Sequence, residues 1–123
     1  MTMQPVILIV DDDQILLESI ADLLMLSDFQ VVTAGNGREA MEIIEKRAPD
    51  CVVSDVMMPE MDGYALLAAL RADERWSRIP VVLITAYERP LKQLEEDNLT
   101  PDAVLVKPFD VDDLIGAINR LLD

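Results

Sequence analysis

Four apolar runs in this 123-residue chain each end on a residue able to do chemistry. Val6-Ile7-Leu8-Ile9-Val10 stops at Asp11-Asp12, and Cys51-Val52-Val53-Ser54 stops at Asp55. Val81-Val82-Leu83-Ile84 stops at Thr85, and Val104-Leu105-Val106 stops at Lys107. If these runs are parallel strands of one sheet, the carboxylates, a hydroxyl and an ammonium surface along one edge. Two unit charges about 4 Å apart repel by about 4 kcal/mol at an effective dielectric of about 20. Carboxylates gathered in that way require a cation between them. Oxygen-only ligands select Mg²⁺, Mn²⁺ or Ca²⁺. Of these, Mg²⁺ takes one or two carboxylates, keeps several waters and completes its shell with a phosphate. Lys107 supplies a point charge for phosphate oxygens, and Thr85 a hydroxyl donor. These parts suit phosphoryl transfer to a carboxylate, with Asp55 as nucleophile and the metal offsetting charge on the transferred group.

The elements that must position these residues alternate between strand and helix from end to end, which points to an α/β domain with a parallel sheet. Gln14 to about Ser27 carries Ile15, Leu16, Ile20, Leu23 and Leu24 at helical spacing. Phe29–Ala34 reads as a second strand, and the polar Gln30 and Thr33 suit a sheet edge. Gly35-Asn36-Gly37 turns it into a helix from about Arg38 to Arg47, and Pro49-Asp50 resets the chain for the third strand. Gly63 opens a helix through about Ala72, with Tyr64, Leu67 and Leu70 on one stripe. Ile79-Pro80 introduces the fourth strand. Pro90 suits the first turn of a short helix from Leu91 to Asp97. After the fifth strand, Asp110 is placed to cap a last helix bearing Leu114, Ile115, Ile118, Leu121 and Leu122. The expectation is five βα units forming one domain over residues 1–123, with no output domain in this chain. Strands covered by helices on both faces are continuously apolar, and ligands bind beyond their carboxyl ends where strand order reverses.

Composition narrows the function classes. A net charge of −14, from 24 acidic against 10 basic residues, argues against direct nucleic acid binding, which needs Lys/Arg clusters. The chain is 51% hydrophobic but only 4% aromatic, so its core is aliphatic. No apolar run approaches the roughly 20 residues of a membrane span, and Met1-Thr2-Met3-Gln4-Pro5 lacks the basic start of a signal peptide. A cytoplasmic protein with no membrane attachment is expected. Cys51, alone and inside an apolar run, reads as a small buried hydrophobe. With no histidine and no second cysteine, zinc is not expected. Trp76 either covers the end of the third helix or touches a partner.

With these residues in place, the chain resembles the receiver domain of two-component response regulators, from Val6 to Leu122. The most specific stretch is Asp55-Val56-Met57-Met58-Pro59-Glu60-Met61-Asp62-Gly63, a phosphoacceptor followed by the family's Met-Pro-x-Met-Asp-Gly loop. Val10-Asp11-Asp12-Asp13, Ile84-Thr85-Ala86 and Val106-Lys107-Pro108-Phe109 match as well, in order and at suitable spacing. The resemblance implies a flavodoxin-like (βα)5 three-layer sandwich with strand order 2-1-3-4-5, an arrangement for which receivers are a stock illustration of the switch-point rule. It implies that Asp55 accepts phosphate from a phosphohistidine on a sensor histidine kinase or a histidine phosphotransfer protein. Asp12 and Asp55 would ligate Mg²⁺ (or Mn²⁺) through their side chains, Met57 through its backbone carbonyl, and Asp11 largely through water. Lys107 and Thr85 would contact the phosphoryl oxygens, and the Lys107-Pro108 bond would be cis. Phosphorylation would alter interaction with a downstream effector protein or a separate output domain. Such a domain assists its own phosphorylation and dephosphorylation and is not otherwise an enzyme.

The chain departs from the pattern at the switch position. Three residues before the lysine, most receivers carry Tyr or Phe; here the residue is Val104, short and β-branched. Thr85 remains as the phosphoryl contact, while the usual aromatic readout lacks its residue. Thr100-Pro101-Asp102-Ala103 replaces the usual Gly-Ala before the fifth strand, and Pro90 and Glu95-Glu96-Asp97 make the preceding helix short and acidic. A specialised output face is the expectation. A phosphate-independent interaction module is the rival reading, opposed by the intact Asp11, Asp12, Asp55, Thr85 and Lys107. Asp11-x-Asp13 after a strand also resembles the first motif of haloacid-dehalogenase-type phosphohydrolases. The chain is too short for their larger core, and that reading leaves the Asp55 loop unexplained. Gly35-x-Gly37-x-x-Ala40 follows the second strand rather than the first, so it reads as a turn and helix start rather than a dinucleotide site.

Overall fold

The computed structural model describes residues 4–86 and 99–123. Five parallel strands form one sheet in the order β2-β1-β3-β4-β5: β1 (Val6–Val10), β2 (Gln30–Ala34), β3 (Cys51–Asp55), β4 (Val81–Thr85) and β5 (Ala103–Val106). Four helices lie among the described residues: α1 (Gln14–Leu26), α2 (Gly37–Lys46), α3 (Gly63–Ala72) and α4 (Val111–Leu122). The expected architecture and strand order are both present. The short helix expected over Leu91–Asp97 lies outside the described residues.

Alternation along the strands sorts the aliphatic core into two layers. Ile7, Ile9, Val53, Val82 and Ile84 face α1 and α4, meeting Leu17, Ile20, Leu24, Leu114 and Ile118. Leu8, Val10, Val52, Val81 and Leu83 face α2 and α3, meeting Ala40, Ile44, Leu66, Leu67 and Leu70. Strands β1, β3 and β4 are buried at every position, whereas β2 is half-buried, with Thr33 exposed, as its polar residues foretold. Cys51 is fully buried, and its thiol is pushed up to about 12 by burial and by the charges of Asp102 and Asp50. Trp76 is also buried: it joins the α2–α3 layer, and the Arg75 guanidinium stacks 4.1 Å from its ring centre.

Short polar side chains start three of the helices. Asp13, Asn36 and Asp62 each accept a hydrogen bond from the amide three residues on, at 3.1, 2.8 and 2.8 Å. Asp110 does stand at the start of α4, but its side chain makes no cap. Its carbonyl accepts instead from Asp113 and Leu114 at 3.0 and 3.3 Å. The apolar stripe of α1 also differs from the one read by spacing. Leu17, Ile20, Ala21 and Leu24 are buried, while Ile15 is 80% exposed. The buried set still repeats at helical spacing, on a stripe that faces β2 and β1 and leaves Ile15 outside it. Leu16 and Leu23 line a groove of about 440 Å³ with Pro108, Phe109 and Val111.

Two aspartates pin the opposite, amino-terminal edge of the sheet. Asp50 accepts from the Val6 amide and Asp102 from the Val81 amide, each at 2.7 Å. Asp102 also accepts from Arg71 at 2.6 Å, and Arg71 donates to the carbonyls of Ser77 and Ile79 at 3.2 and 2.8 Å. The connection into β4 is thereby tied to α3 and to β5. No helix among the described residues is long and apolar enough to cross a membrane.

Candidate functional site

Strand ends converge as the sequence required. In register, Val10 lies opposite Ser54, Asp55 opposite Ile84, and Thr85 opposite Val106, so the residues that follow emerge together at the carboxyl edge. Carboxylate oxygens of Asp11, Asp12 and Asp55 all lie within 4.8 Å of one another. Asp11 and Asp55 are buried and Asp12 is exposed. The Lys107 ammonium stands 3.4 Å from Asp55 Oδ1. Thr85 is buried at the end of β4, next to the strand that carries Asp55. Met57 lies two residues past Asp55 in the β3–α3 loop, its side chain largely exposed. The Lys107-Pro108 peptide is cis, as the resemblance implied.

The electrostatics of this cluster are set by burial. Desolvation raises the Asp11 carboxyl above its ordinary value, with Asp55 and Asp12 adding repulsion. An amide hydrogen bond from Asp13, 2.9 Å to Asp11 Oδ1, and the charge of Lys107 act in the opposite sense. Asp55 is likewise raised by burial, with Lys107 opposing and Asp12 reinforcing the shift. Two buried carboxyls held above their usual range beside a third acidic group are a poor place for three negative charges. They are a good place for a hard divalent cation, because all-oxygen ligands of this kind suit Mg²⁺ or Mn²⁺. The donor set therefore fits the metal that the sequence implied.

Two glycines shape the site: Gly63 closes the motif stretch that begins at Asp55, whereas Gly37 reads in the sequence only as part of a turn. A Cβ on Gly63 would lie 2.5 Å from the Asp55 carbonyl oxygen and 2.9 Å from Val56 Cα. Only glycine lets α3 start so close to the end of β3, where the Gly63 amide donates to the Val56 carbonyl at 2.9 Å. A Cβ on Gly37 would lie 2.5 Å from the Met61 carbonyl oxygen. Gly35-Asn36-Gly37 was legible as a turn, but its approach to a loop some 24 positions along the chain was not.

The family model for the response regulator receiver domain matches residues 7–119. The chain belongs to that family. Among curated relatives, the receiver is 39% identical to response regulator Rre1 of Synechocystis over 117 residues, 94% of this chain and 51% of that protein. The chain spans about half the length of the first curated relatives it matches. Among solved structures, it resembles the signal receiver domain of a histidine kinase from Syntrophus aciditrophicus, with a TM-score of 0.88 and 35% identity. That match covers 96% of this chain and 89% of the other. The chemotaxis response regulator CheY4 of Vibrio cholerae superposes with a TM-score of 0.87 at 30% identity, covering 97% of this chain and 99% of that one. The receiver is thus a module of two-component signal transduction with the flavodoxin-like fold.

Proposed function

We propose that Asp55 is the phosphoacceptor of this receiver, in a reaction supported by Mg²⁺ and read out by a downstream partner. The observation that carries this reading is the Asp55 carboxylate itself, grouped with Asp11 and Asp12 within 4.8 Å and facing Lys107 at 3.4 Å. A carboxylate oxygen of Asp55 attacks the phosphorus of a phosphohistidine on a kinase or phosphotransfer protein. The new P–O bond forms as the P–N bond breaks, and its electron pair returns to the imidazole nitrogen. Asp12, Asp55 and the Met57 carbonyl would hold Mg²⁺, with Asp11 acting through water, and the ion would supply charge neutralisation for the phosphoryl group. Lys107 turns from Asp55 to a phosphoryl oxygen, and Thr85 donates to another.

Hydrolysis closes the cycle. Water attacks the phosphorus, the P–O bond to Asp55 breaks, and inorganic phosphate leaves. The domain therefore assists its own phosphorylation and dephosphorylation but turns over no free metabolite. Phosphorylation brings up to about two negative charges to the end of β3 and biases the surrounding loops between two states. We place the domain in the cytoplasm, where a kinase would supply the phosphoryl group, with output through an effector protein or a separate domain.

Intact mass after incubation with a small phosphodonor tests the proposal. One phosphoryl group is expected on the wild type with Mg²⁺, none in chelator and none on Asp55→Asn. Uptake that survives Asp55→Asn, or no uptake by the wild type, would remove the basis of this reading and favour a phosphate-independent interaction module.

A further inference from the structure

The residues on either side of the turn between β2 and α2 touch both halves of the site. On one side the Asp11 amide donates to the Ala34 carbonyl at 3.1 Å. On the other, the Gly37 amide donates to the Met61 carbonyl at 3.2 Å. Met61 belongs to the loop that leaves Asp55 and carries Met57. Next to this contact the loop holds an unfavourable backbone. Glu60 has φ of 65°, and the Met61 amide donates back to the Pro59 carbonyl at 2.7 Å. That combination is a γ-turn of the strained, positive-φ kind. Such a backbone persists only where its surroundings over-determine it.

Two anchors supply that constraint. Gly63 ties the loop's far end to β3, as described above. Gly37 ties its crest to α2, where an added Cβ would meet the Met61 carbonyl oxygen at 2.5 Å and Met61 Cβ and Cγ at 2.9 Å. The nearest of these atoms is backbone, so no rotation of the Met61 side chain makes room. A side chain at position 37 must displace the loop.

We infer that Gly37 is a positioning residue for the phosphoacceptor loop. It seats the loop three residues from the end of β2 that holds Asp11, and so sets the spacing between the Asp11–Asp12 pair and the Met57 carbonyl. This rests on the metal-assisted phosphoacceptor reading. Gly37 touches no reacting group and acts only through Met61. Cation binding and loop docking are then linked, and linkage is reciprocal: what strengthens one strengthens the other.

The test pairs Gly37→Ala with a measurement on the wild type. By titration calorimetry, Gly37→Ala is expected to bind Mg²⁺ at least about fivefold more weakly. Its phosphorylation by a small phosphodonor should need correspondingly more Mg²⁺, while the rate at saturating Mg²⁺ stays within about twofold of wild type. A purely structural glycine would lower the melting temperature and leave the Mg²⁺ midpoint in place. In the wild type, Mg²⁺ should slow hydrogen exchange at the Gly37 amide several-fold, because that amide is the loop's anchor. This second readout decides the matter alone if Gly37→Ala does not fold. A Mg²⁺ midpoint unchanged in a folded Gly37→Ala overturns the inference. So does a Gly37 amide indifferent to Mg²⁺ in a wild type that binds it. A wild type that binds no Mg²⁺ overturns the phosphoacceptor reading, and this inference with it.

Discussion

Burial makes Asp11 and Asp55 reluctant to carry their charges, and this has a measurable sign. Both carboxyls are raised in the fold, so the native state keeps protons that the unfolded chain releases above pH of about 4. Their contribution to stability is therefore present below the unfolded value and is lost as pH rises through the folded values. In chelator, Asp55→Asn should melt a few degrees above wild type at neutral pH, and the advantage should vanish on acidification to pH of about 4. Thermal melts across that range measure it; an advantage that grows toward acid would contradict the account. Mg²⁺ should reverse the ranking. At a hundredfold excess over its dissociation constant it stabilises the wild type by about 3 kcal/mol, and Asp55→Asn by far less. Asp11, Asp12, Asp55, Thr85 and Lys107 were legible because each closes an apolar run, and strand ends are where a parallel sheet presents side chains. Gly37 was not, because what it excludes is an atom brought near only by folding.

At the scale of elements, the helices begin within a residue of their expected starts, although Asp110, the cap expected for α4, bonds through its carbonyl and not its side chain; their inner faces were less legible. The stripe of α1 departs from the expected one at Ile15 because apolar residues lie on more than one side of this helix, and contact with β2 and β1 chooses among them. Arg71 was not singled out at all, since its partners are two loop carbonyls and Asp102 at the start of another strand. Replacing Arg71 by alanine should cost about 2 kcal/mol in chemical denaturation and leave phosphorylation at Asp55 unchanged, because the clamp lies at the opposite edge of the sheet. Gly116 offers the reverse experiment. It lies inside α4, and a Cβ there meets nothing within 4 Å. Gly116→Ala should stabilise the domain by about 0.5–1 kcal/mol through helix propensity alone.

For the whole molecule, the alternation of apolar runs with amphipathic segments was enough for the α/β class, and the family motifs supplied the strand order. Direction of output was not legible in the same way. By register and alternation, Val104 shares a sheet face with Leu83 and Thr85, and it is half-buried there. A valine has no ring to exchange between buried and exposed positions, so a phosphoryl mimic should perturb backbone chemical shifts strongly around Asp55, Thr85 and Lys107 and only weakly over 99–104. Large shifts throughout 99–104 would show that the output face responds without an aromatic switch.

The central claim concerns one atom pair, a carboxylate oxygen of residue 55 and a phosphorus. Borohydride reduction of an aspartyl phosphate converts that side chain to homoserine, which peptide mass spectrometry can place in the sequence. After treatment with a phosphodonor and Mg²⁺, homoserine is expected at position 55 and at no other acidic residue, with none formed in chelator. Homoserine at Asp11, Asp12 or elsewhere, or its formation without a divalent cation, would contradict the account.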